Sequence, residues 1–550
     1  MEARDLVRSV KTVGSAGAVG RLRGIREAWR TRGAGAGERA RVPGAVREVE
    51  PGPGGGVVRF ARSELRILVA ANGVVFWGWD GAGPEPSDAV AGRCPEPDPR
   101  AVLEPDKDGG WRVVAERMTV AVSRHGAVQV CTPGGVLLRR ELPPRWWEPV
   151  GGGAARWAQR AEVAADARFF GLGRPARGLR LRSGSYPLGA GEAVPGLLVV
   201  ADGGTHLVVH DGSGDGSVTL REGREGAGSG HDRPGLSVLR RSGGPLRCWV
   251  MVGAPARVLL AWTSLAGPPG PREDPVQAMG AVGSDWAGLR ASLASALASG
   301  LCGVPYEEGA ATGAGGPGAE PAPEPAARWW QLAAYLPRLP ATGEGGGGGE
   351  GDVQGRAGTG HARVALAERR RLSPYVRTLA HQARRTGAPP VRPVWWSAPE
   401  EREARECEDA FLLGDGLLVA PVLTPGTERR AVWLPRGRWY ETVTERAYEG
   451  PVRVVADAPP DRIPVFARAG AVVPVLGADG GVELEVWAPA PGRSGGGPVV
   501  ADAGDGWVRA EPERYVTRWV DGRVVVERED GAPAGRPVRV RGLGGRAAQR

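Results

Sequence analysis

The sequence predicts a mainly β protein with an α/β remnant between its two halves. Three observations carry this. From about residue 55 to 265, short alternating or apolar segments recur between Gly- and Pro-rich turn signals, the pattern of a large β-sandwich. Between about 276 and 390 the pattern changes to helical periodicity broken by two low-complexity tracts. From Val391 onward strand-length apolar runs resume.

Taken in order, residues 1–54 read as a basic arm, with eleven Lys and Arg between Arg4 and Arg47 against few acids. Over 55–275 strands are expected at Val57–Phe60, Leu65–Ala70, Val74–Trp79, Trp111–Val122, Val128–Cys131, Val136–Arg140, Leu197–Ala201, His206–His210, Val218–Arg221 and Cys248–Val252. Ala256–Gly267 reads as a helix. Over 276–390, Asp285–Ser299 is a helix with Trp286, Leu289, Leu293 and Leu297 on one face. A short strand is expected at Leu301–Tyr306, then helices at Ala326–Leu336 and Arg363–Arg385. The tracts Gly309–Ala327 and Ala341–Gly360 offer almost no apolar side chains against the entropy of ordering, and read as flexible loops. Residues 391–476 and 477–550 read as two further β-domains, the second with strands at Val482–Trp487, Arg514–Trp519 and Arg523–Arg528.

Composition narrows the function classes. With 41% apolar and 24% charged residues the 550-residue chain has material for three or four cores. The net charge is +9, yet nearly all of it is Arg, acids are interspersed almost everywhere after the arm, and no nucleic-acid-binding motif accompanies it. A nucleic-acid partner is therefore not expected. Five scattered cysteines without C-x-x-C spacing argue against a disulfide framework and a zinc site, and for a reducing compartment. No apolar run approaches the roughly 20 residues that span a bilayer, and no secretory leader is read at the N-terminus, so a cytoplasmic protein without a membrane partner is expected. No cofactor is expected either. No Lys follows a glycine cluster at P-loop spacing.

The most specific stretch runs from Cys407 to Val475. It contains C-E-D-A-F-L-L-G-D-G-L-L-V-A-P-V (Cys407–Val422), L-P-R-G-R-W-Y (Leu434–Tyr440) and R-I-P-V-F-A-R-A-G-A-V-V-P-V (Arg462–Val475). In order and spacing these resemble the β-domain that follows the catalytic barrel in family 31 glycoside hydrolases, the α-glucosidase and α-xylosidase family. Arg168–Tyr186 resembles a strand pair of that family's N-terminal, galactose-mutarotase-like β-sandwich. The resemblance implies a sandwich, a (β/α)8 barrel and two C-terminal β-domains. It also implies retaining hydrolysis of α-glycosidic bonds and an α-linked oligosaccharide as partner.

The barrel is where the chain departs from this pattern. A (β/α)8 barrel takes about 250 residues and closes only with all eight strands. Between Pro275 and Pro390 there are about 115, so a partial barrel is expected. A retaining glycosidase needs two carboxyls about 5–5.5 Å apart, a nucleophile and a general acid/base. The family's nucleophile lies in a D-M-N-E-like run, and none exists here. Its acid/base lies in a W-x-G-D run shortly before a Trp. Aligned on Trp286 that run is Ala278-Met279-Gly280-Ala281, with Ala281 where the acid belongs. The sugar-binding strand corresponds to Gly303–Gly313, with Ala310 at the Asp position, and the next strand to Leu339–Thr342. No catalytic residue is therefore assigned. Glu192, Glu307 and Glu308 are the carboxylates left as substrate-binding candidates, against the plainer reading of solvated loop residues. Asp285 reads as a helix N-cap.

Other constellations are sparse. His206 and His210 flank a strand, and no metal site is assigned to them. Among 19 tryptophans, Trp146, Trp147, Trp329, Trp330, Trp395 and Trp396 offer sugar-stacking surfaces or, more plainly, core packing. The sequence thus implies a catalytically impaired relative of the family. An active enzyme with displaced acids, a non-enzymatic carbohydrate-binding or scaffold protein, and a basic nucleic-acid binder stand as alternatives.

Overall fold

The computed structural model describes residues 40–87, 89–90, 94–149, 154–172, 179–188, 196–212, 215–226, 231–266, 285–303, 323–336, 360–500 and 511–544. It is mainly β, with 19% helix. Two antiparallel sheets form the first half. One has nine strands, in spatial order Val46–Gly52, Gly55–Phe60, Glu64–Val69, Val75–Trp79, Arg247–Val252, Gly204–Asp211, Gly196–Ala201, Arg168–Gly171 and Arg180–Leu181. The other has ten: Gly184–Leu188, Gly216–Arg221, Gly235–Ser242, Arg156–Val163, Leu137–Glu141, Val128–Cys131, Thr119–Val122, Trp111–Val114 and Leu103–Pro105, with Arg145–Trp147 beside Arg156–Val163.

Side-chain alternation explains how these sheets pack. In Arg156–Val163 alternate residues Trp157, Gln159, Ala161 and Val163 are buried, as expected of a strand with one face on a core. Ile67, Val208 and Val250 of the nine-stranded sheet join Val120, Val130 and Trp157 of the ten-stranded sheet in one cluster. The strand Gly204–Asp211 is buried on both faces because its other side is covered too. Leu207 and Val209 pack there with Leu259 and Trp262 of the first helix.

Six α-helices are described: α1 Pro255–Ala266, α2 Trp286–Leu301, α3 Pro323–Ala333, α4 Gly360–Arg371, α5 Ser373–Thr386 and α6 Arg402–Glu406. Asp285 caps α2, its carboxylate accepting from the Gly288 amide at 2.8 Å. Asp285→Ala is expected to cost about 1 kcal/mol, read from the shift in the urea midpoint. Pro374 opens α5 where its missing N–H costs nothing, and Gly387 closes it at φ +70°.

The second half holds a six-stranded sheet, ordered Val391–Pro393, Phe411–Leu413, Leu417–Val419, Val465–Arg468, Arg429–Glu441 and Ala447–Asp457. Two three-stranded sheets follow. In the first, Val472–Leu476 and Val482–Trp487 are antiparallel and Val538–Arg541 is parallel to the latter. The second is Gly495–Val499, Glu513–Val520 and Arg523–Arg528. The G-D-G turn at Gly414–Gly416 has a steric reason. Gly414 sits at φ +60°, and a Cβ there would come within 2.5 Å of both Leu379 and the Tyr375 hydroxyl. That hydroxyl donates to the Leu413 carbonyl at 2.9 Å and accepts from the Gly416 amide at 3.1 Å, which seats α5 on the turn.

Several sequence expectations are corrected. Val46–Gly52, read as arm, is a strand paired with Gly55–Phe60. The run Trp111–Val122 is two strands joined by a turn in which the Ala115 amide donates to Met118. Leu301 ends α2 and Cys302–Gly303 turn away from it, so the strand expected from Leu301 does not begin there. The helix α3 starts at Pro323, inside the tract read as a loop, and the expected helix Arg363–Arg385 is two helices interrupted at Leu372.

Candidate functional site

A cavity of about 400 Å³ lies where α3 and α4 meet the C-terminal sheets, lined in part by Tyr335, Glu368, Arg371, Asp461, Glu485 and Arg541. It brings together residues from five separate elements. Glu368 and Arg371 are one helical turn apart on α4 and pair at 2.8 Å, the ordinary i,i+3 geometry. Arg371 also reaches Glu485 at 3.1 Å, and Arg541 reaches Glu485 at 3.6 Å and Glu445 at 2.8 Å. The Tyr335 hydroxyl donates to Glu368 at 3.3 Å. Burial, reinforced by the Glu368 charge, pushes the Tyr335 phenol well above its usual range. Burial opposes the charge on Arg371, but the Glu368 hydrogen bonds and the charges of Glu368 and Glu485 outweigh it and raise its pKa.

Convergent ionisable groups in a cavity are the usual mark of a functional site. The geometry here does not fit glycoside cleavage. The scissile bond has to lie between the two carboxyls, and in this cavity the Arg371 guanidinium lies between Glu368 and Glu485. The network instead ties α4 and the end of α3 to the first three-stranded sheet and, through Glu445, to the six-stranded sheet.

A second charged cluster joins α6 to the N-terminal sheets. Arg405, 1% exposed, pairs with Asp202 at 2.7 Å and Asp166 at 3.2 Å. Arg168 pairs with Glu406 at 2.9 Å, and Arg180 with Glu222 at 2.6 Å. Burial opposes ionisation of Glu406, and its hydrogen bond to Arg168 outweighs that and lowers its pKa. This is an electrostatic seam between two packed layers, with every charge pointed at a partner side chain.

Glu192, Glu307 and Glu308, together with Ala281, Ala310 and Leu339–Thr342, are outside the described residues. His206 and His210 lie on one face of a strand, where four residues span about 13 Å. One metal ion cannot bridge that distance. Both rings are buried, and burial, reinforced by the Arg139 charge, holds each pKa down at about 3; Arg241 adds to the effect on His210. Among the described residues no group of His, Cys, Asp and Glu is arranged to hold a metal ion. Trp146, Trp329, Trp395 and Trp396 are buried, and Trp330 packs against the core, so these five are structural. Trp147 is half-buried and borders a separate cleft.

Comparison with known proteins places this scaffold. Residues 387–473 match the glycosyl hydrolase family 31 C-terminal domain. A 199-residue stretch is 34% identical to a probable glucan 1,3-alpha-glucosidase of Arabidopsis thaliana, covering 35% of this chain and 21% of that protein. A 194-residue stretch is 34% identical to neutral alpha-glucosidase AB of Homo sapiens, covering 35% and 20%. The matched stretch thus spans about a fifth of each relative's length. Among solved structures, a Flavobacterium johnsoniae GH31 dextranase complexed with isomaltotriose superimposes with a TM-score of 0.71 at 14% identity, over 90% of this chain and 91% of that one. The ER glucosidase II complex of catalytic subunit and regulatory-subunit binding domain gives 0.72 at 11% identity, over 94% and 91%. At these identities the superpositions speak for the fold. Fold and matched domain together define a relative of the glycoside hydrolases. Residues 387–473 are similar to the family 31 C-terminal domain, and the fold is shared with family 31 structures. Among the described residues no helix is long and apolar enough to cross a membrane.

Proposed function

We propose that the chain is a catalytically impaired member of family 31 that keeps the β scaffold, carries a shortened barrel and meets α-linked oligosaccharides without hydrolysing them. The carrying observation is Ala281 at the position of the family's acid/base, with Ala310 at a sugar-binding Asp position and no D-M-N-E-like run anywhere in the chain. A methyl group can neither protonate a leaving oxygen nor accept a sugar hydroxyl. A sandwich over 55–275, a barrel remnant over 276–390 and β-domains over 391–476 and 477–550 belong to the same reading. So does a reducing, cytoplasmic setting, supported by five scattered cysteines.

The test is turnover of aryl α-glucosides and α-xylosides by the full chain. The expected rate equals the buffer rate, in an assay able to see the slow residual catalysis that binding alone can leave. Ala281→Asp combined with Ala310→Asp is expected to give no turnover either, because a general acid contributes about 10²–10⁴-fold only opposite a nucleophile. A rate in the parent that depends on the folded protein and survives Glu307→Ala with Glu308→Ala would overturn the proposal.

A further inference from the structure

The outer face of the ten-stranded sheet carries a cleft that the reading above does not use. Register builds it. Trp147 lies opposite Arg156, which lies opposite Ser242, and two rows further on Ala158 lies opposite Arg240, which lies opposite Ser217. Residues directly opposite share a face, so Trp147, Arg156, Ala158, Arg240 and Ser217 all rise from the same side. The intervening row, Trp146, Trp157 and Arg241, is buried towards the core, with the Trp146 and Trp157 rings stacked at 5.0 Å. The inner row fixes the backbone from which the outer row projects. With Asp215 at its rim, the cleft encloses about 200 Å³. It faces away from the helices, which cover the nine-stranded sheet instead.

This combination has a definite chemistry. An indole presents a flat apolar surface to the C–H face of a pyranose. Guanidinium groups are planar forks with five donors each, able to serve a pair of adjacent ring hydroxyls besides a protein partner. Asp215 supplies the complementary acceptor, and Ser217 both functions. A small anion would use the arginines but gain nothing from Trp147, and Asp215 would oppose it. The size suits one hexose ring, with a chain entering and leaving along the open sheet face.

We infer that this cleft is a saccharide-binding site, separate from the barrel region, that holds one hexose unit of an α-linked glucan on the Trp147 ring. It deepens the proposed function and takes the α-linkage from that reading. The cleft itself stands on its own geometry.

Isothermal titration of the full chain with maltotetraose, cellotetraose and inorganic phosphate tests it. The expected result is maltotetraose binding that weakens about tenfold or more in Trp147→Ala. Ala158→Phe, which fills the floor without removing a polar group, is expected to do the same. Arg160→Ala, on the same strand face but outside the cleft, leaves affinity unchanged. Melting midpoints of all three variants report whether the fold is intact. Cellotetraose binding lost in both cleft variants, with no maltotetraose binding, keeps the cleft and overturns the α-glucan reading. Maltotetraose binding indifferent to both variants overturns the cleft and leaves that reading standing. Binding of phosphate alone, or of no saccharide, overturns the cleft.

Discussion

Between pH 7 and pH 5 the protein is expected to lose on the order of 4 kcal/mol of stability through His206 and His210. Their folded pKa values, about 3, lie below the 6.5 of an exposed histidine. As pH falls through 6.5 the unfolded chain takes up two protons that the folded chain refuses. The stability is therefore complete above about pH 6.5 and drains away as pH falls towards 3. At pH 5 the gap is roughly 1.5 units per ring, about 2 kcal/mol each at 1.36 kcal/mol per unit. The groups acting on these rings are Arg139, from the ten-stranded sheet, and for His210 also Arg241. Arg139 pairs with Glu141 at 3.0 Å, both nearly inaccessible. Carboxylates titrate mainly below pH 5, so this window isolates the histidines. Urea midpoints at the two pH values, compared with those of a His206→Gln, His210→Gln variant, measure the effect. A midpoint that stays put in the parent would exclude it.

Arg328→Ala is expected to destabilise the protein by about 3–4 kcal/mol, a large loss for a surface-type residue. The side chain is 1% exposed and projects from α3 into the loops of the six-stranded sheet. Its Nη1 donates to the carbonyls of Pro459 at 2.8 Å and Arg462 at 3.1 Å, and its Nη2 to Thr427 at 3.0 Å and Ala458 at 2.8 Å. Gln331, one turn on, donates to Pro460 at 2.8 Å. Truncation removes this donor from the Thr427, Ala458 and Arg462 carbonyls, while the Pro459 carbonyl keeps the Arg462 amide at 3.0 Å. Arg328→Lys should recover part of the loss, since an ammonium has three donors but no planar fork. Thermal unfolding of both variants decides it, and equal stability of Arg328→Ala and parent would show that solvent satisfies these carbonyls.

Much of the β scaffold was legible because its strands obey simple alternation between turn residues. Val128–Cys131, Val482–Trp487 and Arg523–Arg528 fall where the pattern puts them. The strand Arg156–Val163 escaped notice because its outward positions are Arg156, Arg160 and Glu162, and one inward position is Gln159. Gly235–Ser242 hides in the same way behind Arg240 and Arg241. Val46–Gly52, V-R-E-V-E-P-G, reads as polar arm, and only its pairing with Gly55–Phe60 makes it a strand. The Asp285 cap was legible from local sequence alone. The Tyr335–Glu368–Arg371–Glu485 contact was not, since Arg371 and Glu485 are 114 residues apart. The Glu368–Arg371 spacing was its single local signal.

The apolar cluster on the outer face of the nine-stranded sheet does not end at the helices. It runs from Phe76 and Val209 through Leu293 of α2 and Leu379 of α5 to Phe466 and Trp487 in the C-terminal sheets. Domain boundaries drawn on the sequence therefore pass through the interior of one packed apolar cluster. A chain nicked between α2 and α3, or between α3 and α4, would behave as a noncovalent heterodimer: two polypeptides sharing a single core, neither able to leave without exposing the half it shares with the other.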